Sequence, residues 1–406
     1  MLIVIAVVVI AVMQFYFWKR VIRDTRWGIR TRRVLVGAQL ALAAAMTATL
    51  LQPFFTGTAA AGWYAWPGYL WLVLAFYFSL SMFALEPVRM VLLRRSNRKP
   101  RTPILAGAPA PPTDPEEPRH LSQNLDRRTF LARTTALAAG AASVGLVGFG
   151  VSRALGTPDL LQVPIQLRRL DPAFNGFRIA VVSDIHLGPL LGRAHTERIV
   201  GMINETNADL VAVVGDLVDG TVGQLGHAAE PLQDLVSREG TFFVTGNHEY
   251  FVDDTQEWLR ELERFGINLL RNENTAIRRG DASFNLAGVN DVTGVQKAEP
   301  PDFDRALAGI DATQPIVLLA HQPVLVNEAA ARGVDLQVSG HTHGGQMWPF
   351  QYVVEAVQPS LAGFSVVDDT QLYVTRGAGF WGPPVRIGAP PDITVLTLAQ
   401  STVSAV

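Results

Sequence analysis

The sequence contains no cysteine among its 406 residues. Disulfide bonds and thiolate metal ligands are therefore excluded, and the chain can fold in a reducing or an oxidising compartment. Charged residues are also sparse, at 17% of the chain, with 34 Lys and Arg against 36 Asp and Glu. This balance, and the lack of a basic cluster interleaved with aromatics in the C-terminal half, argue against a nucleic-acid partner.

Long apolar runs are confined to the first 151 residues. Four runs are long enough, or nearly so, to cross a bilayer: residues 1–18, 34–55, 63–85 and 130–151. The first has no basic segment ahead of it and is followed by Lys19 and Arg20, so we expect a retained span and not a cleaved signal. Few polar residues interrupt the runs, which favours an anchor over a transport pathway.

The loops between these runs predict an orientation. Residues 19–33 hold seven basic residues and one acidic residue, so we expect this loop to be cytoplasmic. The predicted organisation is a membrane region with three spans at 1–99, a Pro-rich cytoplasmic linker at 100–126, and a fourth span within 127–155. Arg127 and Arg128, followed by Thr-Phe-Leu and a weakly apolar stretch, resemble a twin-arginine export signal. The C-terminal half is then extracytoplasmic.

Residues 171–400 have the pattern of an α/β domain. Apolar runs typical of buried strands lie at 177–183, 210–214, 241–244, 316–320 and 336–338. Helical patterns between them lie at 194–207, 230–238 and 254–265. Later runs at 283–289, 371–375 and 393–398 are expected to complete a second sheet. We therefore predict a layered β-sandwich flanked by helices.

Each of the five buried runs ends in a polar cluster. The clusters centre on Asp184 and His186, on Asp216 and Asp219, on Asn247, His248 and Glu249, on His321, and on His341 and His343. Because the carboxyl ends of such strands face one crevice, these side chains should converge. In an extended backbone, residues two positions apart point to the same side, which would aim each Asp-x-His or His-x-His pair together. His120, His195 and His227 lie in polar contexts and are not expected in the site.

This inventory indicates a metal centre. Imidazole and carboxylate ligands without thiolates suit zinc, manganese or iron. About seven candidates converge, more than one ion needs, so we expect two divalent ions sharing a bridging ligand.

The five clusters, in this order, resemble the calcineurin-like metallophosphoesterase family. The resemblance implies that Asp184, His186 and His343 bind one ion, that Asn247, His321 and His341 bind the other, and that Asp216 bridges both. It also implies that His248 is catalytic, contacting the phosphate and protonating the leaving group. Asp219 and Glu249 are interpreted as partners that orient the ligands.

Later residues resemble a bacterial membrane-associated subgroup with twin-arginine signals. They are Gly344-Gly345-Gln346, Arg376-Gly377-Ala378-Gly379 and Asp392, where that subgroup usually has Glu. The expected activity is phosphodiester hydrolysis through a hydroxide that bridges the metals. The substrate is expected to be a phosphate ester. Trp348 and Phe350 beside the metal site would suit a lipid or cell-envelope substrate if they were exposed. They are interpreted first as packed core, so the origin of the substrate stays open. Two alternatives stay open: a catalytically inactive membrane sensor, and a binuclear hydrolase of non-phosphate substrates. Whether the chain has a protein partner stays open.

Overall fold

The computed structural model describes residues 2–56, 63–96 and 127–401. The predicted linker at 100–126, His120 within it, and most of the turn before Trp63 lie outside the described residues. The chain divides into two compact units, Met1–Ala45 with Trp71–Val147 and Met46–Leu70 with Gly148–Val406.

Four long helices make up most of the N-terminal part: α1 (Leu2–Phe17), α2 (Ile29–Thr56), α3 (Ala65–Ser96) and α4 (Arg127–Leu155). Within the described ranges, three stretches are long and apolar enough to cross a membrane: Ile29–Pro53, Ala65–Arg94 and Arg127–Leu155. These match three of the four predicted spans. Helix α1 has 16 residues and is followed by a π-helical turn, so its role as a span stays a prediction.

The first unit contains an ion-pair cluster that the sequence did not indicate. Glu86 lies inside the stretch Ala65–Arg94, and it pairs with Arg20 and with Arg89, whose Nη1 lies 3.3 Å from the Glu86 carboxylate. Arg20 also reaches Asp24 at 2.9 Å. Phe78, Met82 and Ala139 form an apolar cluster in the same unit. Each charge of this cluster has a partner of opposite sign, as a low-dielectric setting requires.

The second unit is built on two mixed six-stranded sheets. In the first the order is β1 (Asp159–Leu167), β12 (Asp392–Gln400), β2 (Arg178–Val182), β3 (Leu210–Val214), β4 (Thr241–Val244) and β5 (Ile267–Leu269). In the second the order is β10 (Gly363–Val367), β11 (Thr370–Val374), β9 (Leu336–Ser339), β8 (Ile316–Leu319), β7 (Ala282–Gly288) and β6 (Glu273–Arg279). The remaining helices are α5 (Arg193–Glu205), α6 (Val222–Ala229), α7 (Asn247–Phe251), α8 (Thr255–Arg264), α9 (Phe303–Ala306), α10 (Val326–Ala331) and α11 (Gln351–Glu355).

Three apolar clusters hold these layers together. The cluster between the sheets includes Val181 and Val214 from the first sheet and Phe284 and Val317 from the second. A second cluster packs α5 and α8 on the outer face of the first sheet, and a third packs α9 and α10 on the second sheet. Strands β2, β3 and β4 are parallel and buried on both faces, which explains their continuous apolar runs. The predicted layered α/β architecture is thus confirmed.

Three sequence expectations need correction or extension. The run at 393–398 does not join the second sheet, because β12 pairs antiparallel with β2 in the first; strand patterning alone does not choose a partner. The helix predicted at 230–238 is a short 3-10 turn, Glu230–Asp234, after α6, and Pro231 follows its first residue. Strand β1 lies before residue 171, where the domain was predicted to begin, and it pairs in parallel with β12.

Candidate metal centre

The five polar clusters lie at the carboxyl ends of β2, β3, β4, β8 and β9. Asp184 follows β2, Asp216 follows β3, and His321 follows β8. Asn247 opens the short helix α7 directly after β4. Since β2, β3 and β4 are parallel neighbours in one sheet and β8 and β9 are parallel neighbours in the other, their carboxyl ends bring these side chains together.

The first group of side chains is Asp184, His186 and His343, all buried. One ligand atom from each lies within 4.8 Å of the others. The Nε2 atoms of His186 and His343 are 3.0 Å apart, and Asp184 Oδ1 lies 3.3 Å from His343 Nε2. Ring nitrogens and a carboxylate oxygen at this spacing can bind one divalent ion.

The second group is Asp216, His321 and His341, within the same mutual distance. His321 Nδ1 lies 2.8 Å from the carbonyl oxygen of Val214, and that contact assigns the proton to Nδ1. Its Nε2 atom is buried and lies 3.2 Å from Asp216 Oδ2 without the geometry of a hydrogen bond. In the neutral ring this atom has a lone pair that can bind a cation. Asn247 Oδ1 is also buried without a partner.

Asp216 lies between the two groups. Its Oδ2 atom is 3.2 Å from His321 Nε2 of the second group and 3.8 Å from His186 Nε2 of the first. Its other oxygen accepts a hydrogen bond of 2.8 Å from the backbone N–H of His248. One carboxylate therefore faces both sets of nitrogens.

The residue types fit a pair of divalent ions. Buried polar atoms almost always have partners, so an orphaned imidazole nitrogen and an orphaned amide oxygen facing the same centre are exceptions that a cation would explain. Hard and borderline donors without sulfur match manganese, zinc or iron.

Backbone strain is concentrated at these residues. Five of them adopt a left-handed backbone: Asp184 (φ 53°), His186 (φ 49°), Asp216 (φ 53°), His341 (φ 70°) and His343 (φ 52°). Such conformations cost free energy and persist where the surroundings enforce them, commonly at functional sites. The prediction that Asp184 and His186, and likewise His341 and His343, point together from an extended backbone was therefore wrong. The left-handed loop conformation turns each side chain inward.

Two glycines permit the close approach of the loops. A Cβ atom on Gly340 would lie 2.0 Å from Ser183 Oγ and 2.3 Å from Asp184 Oδ2. One on Gly246 would lie 2.2 Å from Asp216 Oδ1. Both distances are far inside van der Waals contact, so each position admits only glycine.

Glu249 and Asp219 hold the loops and the histidines in place. The buried carboxylate of Glu249 accepts backbone hydrogen bonds from Asp216, Leu217 and Gly246 at 3.0, 2.8 and 2.6 Å. Asp219 Oδ1 lies 2.9 Å from His186 Nδ1 and 2.6 Å from His248 Nδ1. Asp219 thereby orients one histidine of the first group together with His248.

His248 lies beside Asp216 but is placed differently from the ligand candidates. Its side chain is 13% exposed, whereas that of His321 is fully buried. Burial acts to lower the pKa of His248, but the carboxylates of Asp216 and Asp219 outweigh burial and raise its pKa to about 9. Two aromatic rings flank it, with ring-centroid distances of 5.2 Å to Phe251 and 6.2 Å to Trp381.

Sequence reasoning missed Arg386, which is 1% exposed. Its guanidinium donates to the carbonyl oxygens of His343 (2.7 Å), Arg376 (2.9 Å) and Gly379 (3.0 Å), and its Nη2 lies 3.0 Å from His343 Nδ1. An isolated arginine in a Pro- and Gly-rich segment has no periodicity or motif that would identify it.

The segment after β11 closes the site from one side. Arg376 Nε binds the Asp392 carboxylate at 2.7 Å. The backbone N–H groups of Ala378 and Gly379 donate to the carbonyl oxygens of Ser183 and Asp184. Two of the three subgroup features noted in the sequence, the Arg376 segment and Asp392, are thus bonded to each other and border the first group.

Two histidines and two aromatic residues outside the ligand groups differ in their burial. His195 is buried in α5 and His227 is exposed, and neither belongs to the two groups. Trp348 and Phe350 are not packed core: they are 42% and 56% exposed. The prediction of packed core was wrong because the local sequence around Pro349 does not show whether these two aromatic side chains are buried.

The sequence profile of the calcineurin-like phosphoesterases matches residues 177–345. A Danio rerio protein named "Transmembrane protein with metallophosphoesterase domain" is 38% identical over 63% of this chain and 61% of its own length. An uncharacterized metallophosphoesterase of Helicobacter pylori is 36% identical over 67% of this chain and 72% of its own length. One from Bacillus subtilis is 30% identical over 69% and 99%. The chain spans less than two thirds of the Danio rerio relative.

Proposed function

The chain belongs to the calcineurin-like phosphoesterase family, and we propose that it is a membrane-anchored, metal-dependent phosphodiesterase. The observation that carries this proposal is the position of the Asp216 carboxylate between two groups of buried ligand atoms. A second supporting observation is that His321 Nε2 and Asn247 Oδ1, both buried, have no other partner.

Seven side chains would hold two divalent ions of manganese, zinc or iron. Asp184, His186 and His343 form one set, and Asn247, His321 and His341 form the other, with Asp216 shared. When bound, the ions supply Lewis acidity that polarises the phosphate oxygens and lowers the pKa of a water molecule.

His248 would act on the leaving group. Its ring is held at Nδ1 by Asp219, which leaves Nε2 directed away from that contact. From there it donates a proton to the ester oxygen as the bond to phosphorus breaks. Asp219 and Glu249 are positioning residues, because they reach the substrate only through His186, His248 and the Asp216 loop.

The anchor is proposed to be multi-pass, with α1 as an additional span and the phosphoesterase domain on the extracytoplasmic face. The basic loop at 19–33 supports this orientation. Arg127 and Arg128 at the start of α4 support export by a twin-arginine route, as in the bacterial subgroup that the sequence resembles. Protease accessibility of the domain in intact cells tests the orientation.

The test of the reaction uses the full-length protein in uncharged detergent, stripped of metal and reloaded with Mn²⁺, Zn²⁺ or Fe²⁺. We expect metal-dependent cleavage of bis(p-nitrophenyl) phosphate in preference to p-nitrophenyl phosphate. Asp216→Ala should lose this activity. His227→Ala changes a histidine whose side chain is 80% exposed, outside the site, and should retain it. Turnover that persists without metal, or in Asp216→Ala, would refute the proposal.

A further inference from the structure

Four large aromatic side chains near the metal centre are exposed. They are Phe251 (54%), Trp348 (42%), Phe350 (56%) and Trp381 (60%). We call these four residues the aromatic rim. Large aromatic side chains that are exposed around one site indicate a surface that binds an apolar group.

The rim borders the reacting end of the site. Phe251 and Trp381 both contact the ring of His248. The side-chain amide of Gln346 donates to the carbonyl oxygen of Trp381 at 2.9 Å and accepts from its N–H at 3.0 Å. The N–H of Trp348 donates to the carbonyl oxygen of Ile387 at 2.8 Å. The segment that carries Trp348 and Phe350 is therefore fastened to the loop that carries Trp381.

That loop, residues 380–388, also packs on the ends of two candidate spans, and all the residues concerned belong to the second unit. The N–H of Arg386 donates to the carbonyl oxygen of Gly150 in α4 at 2.9 Å. A Cβ on Gly150 would lie 2.6 Å from Val385 Cγ1. Phe380 packs with Ala154, one residue before the end of α4.

The start of α3 reaches the same loop. A Cβ on Gly382 would lie 3.6 Å from Cε1 of Tyr69, the fifth residue of the stretch Ala65–Arg94. The ends of spanning helices lie where hydrocarbon gives way to headgroups, and tryptophan favours that zone. The loop that carries Trp381 therefore lies against these helix ends, and we infer that the aromatic rim faces the bilayer interface.

We propose that the substrate is a phosphodiester lipid of the bilayer, with its apolar chain against the aromatic rim and its phosphate in the metal centre. This inference rests on the proposed function and names its substrate class. In the reaction, water adds across one ester bond: a P–O bond to the water oxygen forms, and the P–O bond to the leaving alcohol breaks. The alcohol oxygen receives its proton from His248, and the proton lost by the water restores His248 through solvent.

The experiment compares two chromogenic diesters that differ only in chain length, hexadecyl and methyl p-nitrophenyl phosphate, in dodecyl maltoside micelles with the full-length, metal-loaded protein. We expect kcat/KM to be at least about a hundredfold higher for the hexadecyl ester, since each methylene in apolar contact favours binding. A Trp348→Ala/Phe350→Ala double variant should lower that ratio by about tenfold or more. Phe364→Ala, which changes an aromatic residue 51% exposed on β10, should leave the ratio unchanged.

The outcomes separate the two claims. A ratio near one, with the methyl ester turned over, overturns the lipid inference and leaves the phosphodiesterase intact; a soluble diester is then the substrate. Equal ratios in the double variant and the wild type also overturn it. Failure to cleave either ester overturns the proposed function, and with it this inference.

A second measurement does not depend on activity. The emission of Trp381 is obtained by subtracting the fluorescence of metal-free Trp381→Phe from that of the metal-free wild type. In nanodiscs of phosphatidylcholine with brominated chains, we expect this emission to be quenched. The difference isolates Trp381 from the other seven tryptophans of the chain. An unquenched difference would place Trp381 away from the bilayer and contradict the proposal.

Discussion

Replacing Arg386 by Met should weaken both the fold and the metal centre. The methionine retains much of the apolar stem but removes the guanidinium donors from three carbonyl oxygens, those of His343, Arg376 and Gly379. The His343 oxygen keeps the bond from the Gln346 N–H at 3.0 Å, so two carbonyls are left without a donor. Burial lowers the pKa of Arg386 to about 10, with Asp184 and Asp392 acting in the opposite sense, so the side chain is a cation at neutral pH. The wild type thus stabilises these carbonyls with a buried positive charge.

The magnitude follows from two opposing effects. Each buried carbonyl left without a donor costs about 1–3 kcal/mol. The variant recovers part of this, because the wild type bears the cost of burying a charge. We expect a net loss of about 3 kcal/mol in the free energy of unfolding, or roughly 6–12 °C in Tm for a domain of this size.

The assay is thermal unfolding of the metal-free, full-length protein in detergent, with calorimetric titration of Zn²⁺ alongside. Affinity for the ion that we propose His343 to bind should fall about 10–100-fold, because Arg386 donates to the His343 carbonyl oxygen and so holds the loop that carries the ring. Arg305→Met is the control, since its side chain is 60% exposed in a surface pair with Glu273. A variant at position 386 with the Tm and affinity of the control would refute this reasoning.

Three further predictions follow from the site and its surroundings. His248→Ala should keep its metal content while kcat falls about 10²–10⁴-fold, as measured by metal analysis beside diester turnover; empty sites would contradict the assigned role. Gly340→Ala should lose metal binding by titration, because its methyl group would overlap Ser183 Oγ and Asp184 Oδ2. Burial, aided by Arg198, lowers the pKa of His195 to about 4. The unfolded chain, with a pKa near 6.5, then binds more protons, so stability should fall by about 2 kcal/mol from pH 7.5 to pH 5. His195→Leu should remove that part of the slope in urea unfolding, and an unchanged slope would contradict it.

The sequence predicted that these side chains converge, but not the backbone conformation that brings them together. Strands buried on both faces have continuous apolar runs, so the ends of β2, β3, β4, β8 and β9 were visible and their polar clusters could be grouped. The left-handed backbone of Asp184, His186 and the other turning residues was not visible, because it depends on neighbouring loops and not on local propensity.

Features that depend on distant partners were missed for the same reason. Arg386 has no local pattern, since its acceptors come from segments around His343, Arg376 and Gly379. The exposure of Trp348 depends on what packs above it, which composition does not specify. Strand β1 contains Pro164, which weakens its strand signal, and only pairing with β12 identifies it.

The most direct test of the central claim is the number of divalent ions bound per chain. Full-length protein equilibrated with Mn²⁺ or Zn²⁺, freed of excess ion by gel filtration, is analysed by elemental mass spectrometry beside Asp216→Asn. A paired centre predicts about two ions per wild-type chain and a clear loss in the variant, because Asp216 is the carboxylate that faces both groups. One ion or fewer in the wild type, or two ions retained in Asp216→Asn, would contradict the paired centre.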